Sequence, residues 1–423
     1  MHLQQIDFGK TGRFSHLFLD YINGKEELTP FYNVFPTIEN FAQLIANRRF
    51  NRESRSILVQ TLLEQYKGLE VASTVGDNIK ALESSTTFTI TTGHQLNLCT
   101  GPLYFIYKIA TVIRLTDELK RQYPAYRFVP VYWMASEDHD FFEINHFSLF
   151  GKKYEWLINP KGPVGRLAPQ SAVPILEGIN DIPAFIIDGY KTSPDLASAT
   201  RYIVNHLFGE NGLVVIDGDD RSLKNQITDI LRDDLHDHRA HSLVTETTSR
   251  LEALGYKGQI FPREINLFYI DHHLRERLEK GEHGYHVLNT ELQFSEQELV
   301  DMIKNTPEKF SPNVVLRPLY QERILPNLAY IGGPAEIAYW LQLKEIFDQY
   351  DMDFPALVPR MFALVVPKSL GKKMNKLGIK PIDAFEDFNT LKETLLHQEN
   401  GILYDLSGEI SSISQIFKSI AAK

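Results

Sequence analysis

Phe88-Thr89-Ile90-Thr91-Thr92-Gly93-His94-Gln95 decides the fold of this chain. The β-branched and aromatic run suits a buried central strand, and Gly93 ends it. The segment continues as Leu96-Asn97-Leu98-Cys99-Thr100-Gly101-Pro102-Leu103-Tyr104. Leu103, Ile106, Ala110 and Ile113 then recur at helical spacing, with Thr100 the expected N-cap and Pro102 tolerated in a first turn. A second strand reads at Phe128-Val129-Pro130-Val131-Tyr132-Trp133-Met134. Strand, helix, strand is a βαβ unit, which places the chain in the α/β class with a parallel sheet. Open sheets of that class bind ligands at the carboxyl ends of their strands.

Working outward, residues before Phe88 are mostly helical by pattern: Ile38, Phe41, Leu44 and Ile45, then Ile57, Leu58, Leu62 and Leu63. Pro160, Gly162, Pro163, Gly165, Pro169, Pro174, Pro183 and Pro194 break the rhythm and suggest an insertion. A core strand returns at Leu213-Val214-Val215-Ile216-Asp217, and a second insertion holds strand-like Gln259-Ile260-Phe261 and Leu267-Phe268-Tyr269-Ile270. Asn327-Leu328-Ala329-Tyr330-Ile331 leads through Gly332-Gly333-Pro334 into a helix expected from Ala335 to Tyr350. The last core strand is expected at Phe362-Ala363-Leu364-Val365-Val366. Leu406, Ile410, Ile413, Phe417 and Ile420 follow coiled-coil spacing, so either a partner supplies the remaining heptads or the natural chain continues past Lys423. The expected division is 1–85, an N-terminal helical segment packed on the core; 86–146, the first half of the core; 147–205, an insertion; 206–254, core continued; 255–312, a second insertion; 313–380, the second half; and 381–423, the start of a helical coiled-coil region.

Acidic residues outnumber basic ones by 54 to 44, a net charge of −10, with no dense Lys/Arg block. Nucleic acid is therefore not an expected partner. A single cysteine, Cys99, excludes an intrachain disulfide and a cysteine-based zinc site. The amino terminus lacks signal-peptide character, and no apolar run approaches membrane-helix length. No membrane partner is expected, and the expected location is the cytoplasm.

Three constellations carry chemistry. A strand, a glycine turn and a helix start gather free N–H groups at a dipole's positive end, so Gly93, His94, Gln95, Asn97, Thr100, Gly101 and Tyr104 form a candidate phosphate or carboxylate site. The spacing fits neither the phosphate-loop nor the dinucleotide fingerprint. In Ser136-Glu137-Asp138-His139-Asp140, carboxylates flank one imidazole and favour His139 as the cation. That group could bind an ammonium, exchange protons or hold a metal; the plainer alternative is an acidic turn in which Ser136 or Asp138 caps a helix. His139, Glu143 and His146 could share a helix face as a metal site, though no matching His/Asp pair completes a shell. Asp271-His272-His273 is more economically a surface turn. Gly332, Gly333 and Glu336 repeat the strand-glycine-helix pattern, where Glu336 either meets ligand or complements the dipole. Asp217 and Asp219 could reach a ribose or ammonium, Arg317 could clamp a carboxylate, and Cys99 reads as a packing residue.

Thr92-Gly93-His94-Gln95 with Thr100-Gly101-Pro102-Leu103-Tyr104 is one of three stretches that match a known family. Pro130-Val131-Tyr132-Trp133 through Glu137-Asp138-His139-Asp140 and Glu143-Ile144-Asn145 is the second. The third is Pro312-Asn313-Val314-Val315-Leu316-Arg317-Pro318-Leu319-Tyr320-Gln321 with Gly332-Gly333-Pro334-Ala335-Glu336-Ile337-Ala338-Tyr339-Trp340. Together they resemble BshC, the cysteine-adding family of bacillithiol biosynthesis. The resemblance implies a ligase that adds cysteine to the amine of glucosaminyl-malate. It also implies a Rossmann-like core with two connective-peptide-type insertions and a C-terminal coiled coil that forms a homodimer. By analogy with class I synthetases, the Gly93–Tyr104 loop corresponds to the HIGH motif, and Lys373-Met374-Asn375-Lys376 is similar to the KMSKS loop.

Amide formation needs an activated acyl group, so ATP or another activating nucleotide is the expected cofactor. The expected crevice lies between the loops after Thr92, Met134, Asp217 and Ile331. Gly93, His94, Gln95, Gly101 and the backbone before Leu103 would hold phosphate or oxyanion. Asp138 and Asp140 would take the cysteine ammonium, His139 or Glu137 the amine proton, and Arg317 the malyl carboxylate. The rivals are a metal-dependent amide hydrolase using His139, Glu143 and His146, and a non-catalytic dimeric scaffold that binds a small thiol.

Overall fold

A computed structural model describes residues 3–282 and 284–400. Two compact units divide the chain, one comprising 16–362 and the other 1–15 with 363–423. Five strands form the parallel sheet of the larger unit: β1 (Thr87–His94), β2 (Arg127–Met134), β3 (Val214–Asp217), β4 (Asn327–Gly332) and β5 (Ala356–Pro359). Their order is β5-β4-β1-β2-β3. The chain steps outward from β1 to β3, then returns to β1's other side, so the order reverses between β1 and β4. Such a reversal opens a crevice at the strands' carboxyl ends. β1, β2 and β4 are buried almost throughout, as parallel strands covered on both faces must be.

Helix α1 (Tyr104–Gln122) connects β1 to β2. Its inward stripe is Phe105, Ile109, Val112, Leu115 and Leu119, while Leu103 is exposed and Ile106, Ala110 and Ile113 are half-buried. The expected face was therefore the wrong one of two apolar stripes. That stripe wins because Val112, Leu115 and Leu119 pack with Phe88, Ile90 and Phe128 of the sheet, where Phe41, Leu44 and Ile45 from the helix Phe41–Asn47 join them. Behind β3 lies the short helix α2 (Arg221–Lys224); α3 (Arg317–Ile324) precedes β4, and α4 (Pro334–Leu341) follows it.

Residues 267–312 contribute a separate five-stranded antiparallel sheet together with the helix Glu296–Asn305. Gln259-Ile260-Phe261 is not a strand; the Gln259 and Ile260 N–H groups donate to Gln342 Oε1 instead. Gln342 also ends α4, splitting the helix expected over 335–350 before a second one at Lys344–Gln349. The last core strand is β5, six residues earlier than expected. Ala356 and Leu357 are buried beside β4, whereas Leu364 and Val365 are exposed. Proline is tolerated there because β5 is an edge strand.

In the smaller unit Arg13 Nε donates to the Phe385 carbonyl at 2.9 Å. Lys373-Met374-Asn375-Lys376 lies within a helix, Lys368–Lys376, rather than a loop. The heptads at 406–420 fall outside the described residues.

Candidate functional site

The carboxyl ends of β4, β1, β2 and β3 stand side by side, with Thr91 level with Tyr330, Gly93 with Trp133 and Met134 with Asp217. Three polar groups occupy this edge.

The first sits at the strand-order reversal. Lys108, on the inner face of α1 and only 5% exposed, donates to the Gly93 carbonyl at 2.8 Å and pairs with Glu336 at 2.6 Å. Glu336 also accepts from the Tyr330 hydroxyl (2.6 Å) and the Gly333 N–H (2.9 Å). Burial pulls the Lys108 ammonium below its ordinary value while Glu336 opposes it. Burial pushes Glu336 up, but Lys108, Tyr330 and Gly333 outweigh that and hold it below the usual carboxylate range. Arg317 stacks over the Tyr330 ring and donates to Gln321. A Cβ on Gly93 would stand 3.2 Å from the Tyr330 hydroxyl and 3.7 Å from Arg317, and one on Gly333 would stand 3.5 Å from Arg360 Nε. Arg360 covers the Tyr104 ring. Both glycines thus keep side chains away from ground bounded by two guanidiniums and by the Glu336 carboxylate, whose Oε2 would lie 3.4 Å from a Gly333 Cβ.

His94 lies against Tyr104 and Phe105 with its Nε2 buried and unpartnered. Burial, then the Lys108 charge, pull its pKa down to about 3, so the ring is neutral. Beyond it the backbone turns through positive φ at Cys99 (51°), Thr100 (68°) and Gly101 (60°). That turn overrides the expected Thr100 cap: Leu103 occupies the cap position, with no side-chain cap. A Cβ on Gly101 would lie 2.4 Å from Asn97 Cβ. Gly101→Ala is therefore expected to destabilise by more than about 1 kcal/mol, read as a lower urea midpoint, whereas an unchanged midpoint would mean the turn relaxes freely. The Cys99 N–H donates to the Tyr190 hydroxyl, and burial pushes the thiol up to about 12, the behaviour of a packing residue.

The second group follows β2. Gln95 Nε2 bridges Asp138 Oδ2 (3.2 Å) and Glu143 Oε2 (2.5 Å), and Asn97 donates to the Glu143 carbonyl. Arg275 arrives from the antiparallel sheet, 3.5 Å from Asp138 Oδ1 and 2.8 Å from His139 Nδ1. Burial opposes ionisation of Asp138, but His139, Arg275 and Gln95 hold it well below the usual carboxylate range. Asp140 and His139 are exposed. The helix here is only Phe141–Ile144, and His146 belongs to a strand paired with Glu155, so His139, Glu143 and His146 share no helix face. Among the described residues no group of three or more His, Cys, Asp or Glu is placed to hold a metal. Asp271-His272-His273 forms the turn between two antiparallel strands.

The third group, behind β2 and β3, is turned inward. Lys224 of α2 is fully buried, 2.6 Å from Glu137 and 3.0 Å from Asp219, and Arg166 forks onto Asp219 at 2.7 and 3.0 Å. Burial works against the Lys224 charge, but Glu137 and Asp219 more than compensate. Burial also raises Glu137 and Asp217, in both cases with help from the Asp219 charge. Asp217 accepts from Ser136 Oγ and the Asp219 N–H, so Ser136 caps no helix. Asp217, Asp219 and Glu137 are thus held inward by buried protein donors and brace the edge.

Lys108, Arg360, Arg275, Lys224 and Arg166 are the site residues that sequence reading missed. Gly93, His94, Arg317, Gly332, Gly333 and Glu336 gather at the reversal, and Gln95, Asn97, Asp138, His139 and Glu143 gather beside it.

Residues 1–361 match the family described as "Bacillithiol biosynthesis BshC, N-terminal Rossmann-like domain". A Flavobacterium johnsoniae protein named "Putative cysteine ligase BshC" is 44% identical over 414 residues, covering 95% of this chain and 78% of the relative. A Cytophaga hutchinsonii protein of the same name is 43% identical over 420 residues, covering 99% and 80%. One from Bacillus cereus is 29% identical over 421 residues, covering 94% and 77%.

Proposed function

Since the chain belongs to the BshC family of bacillithiol biosynthesis, we propose that it is a cysteine ligase joining the cysteine carboxyl to the amine of glucosaminyl-malate. The observation that supports this most is the pairing of arginine-flanked glycine turns with a carboxylate-bearing rim on one sheet edge. Arg317 and Arg360 flank the glycine turns at Gly93 and Gly333, and Asp138, Asp140 and Glu143 lie next to them along the edge after β2.

Condensation of a carboxylate with an amine releases water, so a bound activating nucleotide would supply the driving force by turning the carboxyl oxygen into a leaving group. The side-chain-free ground at Gly93 and Gly333 suits a phosphate of that nucleotide, with Gly93, His94, Gln95 and Gly101 as its partners. Asp138, held ionised, takes the cysteine ammonium together with Asp140. Arg317 takes the malyl carboxylate. The attacking amine must lose a proton, and Glu137 is not free to accept it because Lys224 occupies its carboxylate. Asp140 and Glu143 are the exposed acceptors. Residues 147–205 and 255–312 act as connective-peptide insertions that wall this edge, and two copies pair through the heptads of 406–420.

Purified protein incubated with cysteine and glucosaminyl-malate, with and without ATP, is expected to yield a product of their summed mass less one water. Asp138→Ala should lower its formation at least about a hundredfold, the scale on which loss of one ammonium-fixing charge misplaces a substrate. No product in either arm overturns the reading. Near wild-type turnover in the variant removes Asp138 from it.

A further inference from the structure

The Arg275–His139 contact defines the chemistry of the imidazole more narrowly than the acidic turn around it suggests. A guanidinium has only donors, so at 2.8 Å from Arg275 Nη1 the His139 Nδ1 must accept. The competing arrangement, Nδ1–H donating to Asp138 Oδ1, would span 3.6 Å, beyond a hydrogen bond. Asp138 Oδ1 instead accepts the His139 backbone N–H at 2.8 Å and faces Arg275 at 3.5 Å. Arg275 thus sets a permanent positive charge facing Asp138, in the place where the sequence alone suggests a cationic His139.

Nothing else about Arg275 is loose. Its guanidinium carbon lies 3.9 Å over the Phe268 ring, Nε donates to Ser311 Oγ at 3.2 Å, and the side chain is 8% exposed. Phe268, Arg275 and Ser311 sit on adjacent antiparallel strands, with Phe268 level with Arg277 and with Ser311. The insertion sheet thus holds one rigid cation against the turn that follows β2. The same Phe268 ring also packs on His139, centroids 5.7 Å apart.

We propose that Arg275 is a positioning residue that keeps His139 as the neutral Nε2–H tautomer, and that His139 donates this hydrogen bond to the acyl oxygen of the reacting cysteine. The assignment rests on the ligase reading above. With Nδ1 occupied and Nε2 protonated, the ring has no lone pair to offer the attacking amine. As the tetrahedral centre forms, the new C–N bond pushes the carbonyl π electrons onto oxygen, and the Nε2–H stabilises that negative charge without transferring its proton. The amine's proton leaves to a carboxylate of the rim, and when the tetrahedral centre collapses, the bond from the acyl carbon to the oxygen of the activating phosphate or nucleotide breaks and that group departs. The His139 side chain is 46% exposed, which leaves room for a substrate to reach the ring.

Side-chain nitrogen NMR of histidine-labelled protein, assigned by difference with His139→Gln, reads the tautomer without substrate. An unprotonated Nδ1 and a protonated Nε2 at neutral pH are expected, with the pattern lost in Arg275→Met. A protonated Nδ1 overturns the proposal. In turnover, His139→Gln places an amide N–H where Nε2–H stood and is expected to stay within about tenfold of wild type. His139→Ala should fall at least about a hundredfold, as loss of an oxyanion donor does. Equal loss in both variants overturns the donor role in favour of proton acceptance. If wild type makes no product, the ligase reading fails and the donor role with it, while the nitrogen spectrum still decides what Arg275 does.

Discussion

Lys224→Met is expected to cost about 3–5 kcal/mol of folding stability, the scale for removing one partner from a buried ion pair. The ammonium has no exposure to water and meets Glu137 at 2.6 Å and Asp219 at 3.0 Å. Methionine fills similar volume, so the loss isolates charge. Asp219 keeps the Arg166 fork, but Glu137 is left buried without its ion-pair partner, and only the weaker influence of Arg275 remains. Urea denaturation should show a lower midpoint at unchanged slope. Lys67→Met is the control. Its ion pair with Glu64 is largely exposed, and its loss should stay within about 0.5 kcal/mol. A Lys224 variant that behaves like the control would mean that Arg166 or water neutralises the cluster alone. The brace also positions the turn after β2, so turnover should drop with stability, and Asp138 contacts should loosen first.

Lys108→Met is the second large effect, and its pH dependence is diagnostic. The variant loses the Glu336 pair and the bond to the Gly93 carbonyl, both at the strand-order reversal. Because Glu336 is partly exposed, the lower end of the buried-pair range applies, about 3 kcal/mol. The folded-state pKa of Glu336 is depressed, so its ionised form contributes stability that is fully present above the unfolded carboxyl value of about 4.3 and is lost as pH falls through the folded value. Wild type and Lys108→Met should therefore differ most near neutrality and converge in acid. Lys108→Met combined with Glu336→Gln should recover part of the loss, since the orphaned carboxylate is then gone. A gap that is flat from neutral pH into acid would show that Glu336 titrates alike with and without its lysine.

Much of the scaffold is legible from β-branched runs stopped by glycine, as at Thr87–His94 and Asn327–Gly332, because buried parallel strands demand that pattern. Boundaries fare worse where two apolar runs compete. Ala356–Pro359 won over Phe362–Val366 through pairing with β4, a long-range fact that local composition does not contain. Gln342 looks like an ordinary helix residue until its four hydrogen bonds to 248–260 are seen. In the site, glycine-marked residues were recognisable because close backbone approach leaves a sequence trace. Lys108, Lys224 and Arg275 leave none: a lysine that points inward on a helix reads like one that points out. Each has a partner far away in the chain: Glu137 is 87 positions from Lys224, and Glu336 is 228 positions from Lys108.

The adjacency of β1 and β4 also dictates when the protein can become itself during synthesis. Ribosomes finish β1 long before β4; at roughly 5–20 residues per second the intervening 94–327 stretch takes on the order of ten seconds to a minute. Throughout that interval the nascent sheet carries a bare edge of unpaired backbone groups along Thr89-Ile90-Thr91, the place reserved for Asn327–Tyr330. A ribosome stalled short of Gly332 would display an adhesive strand edge, a natural target for holdase chaperones and a seed for aggregation.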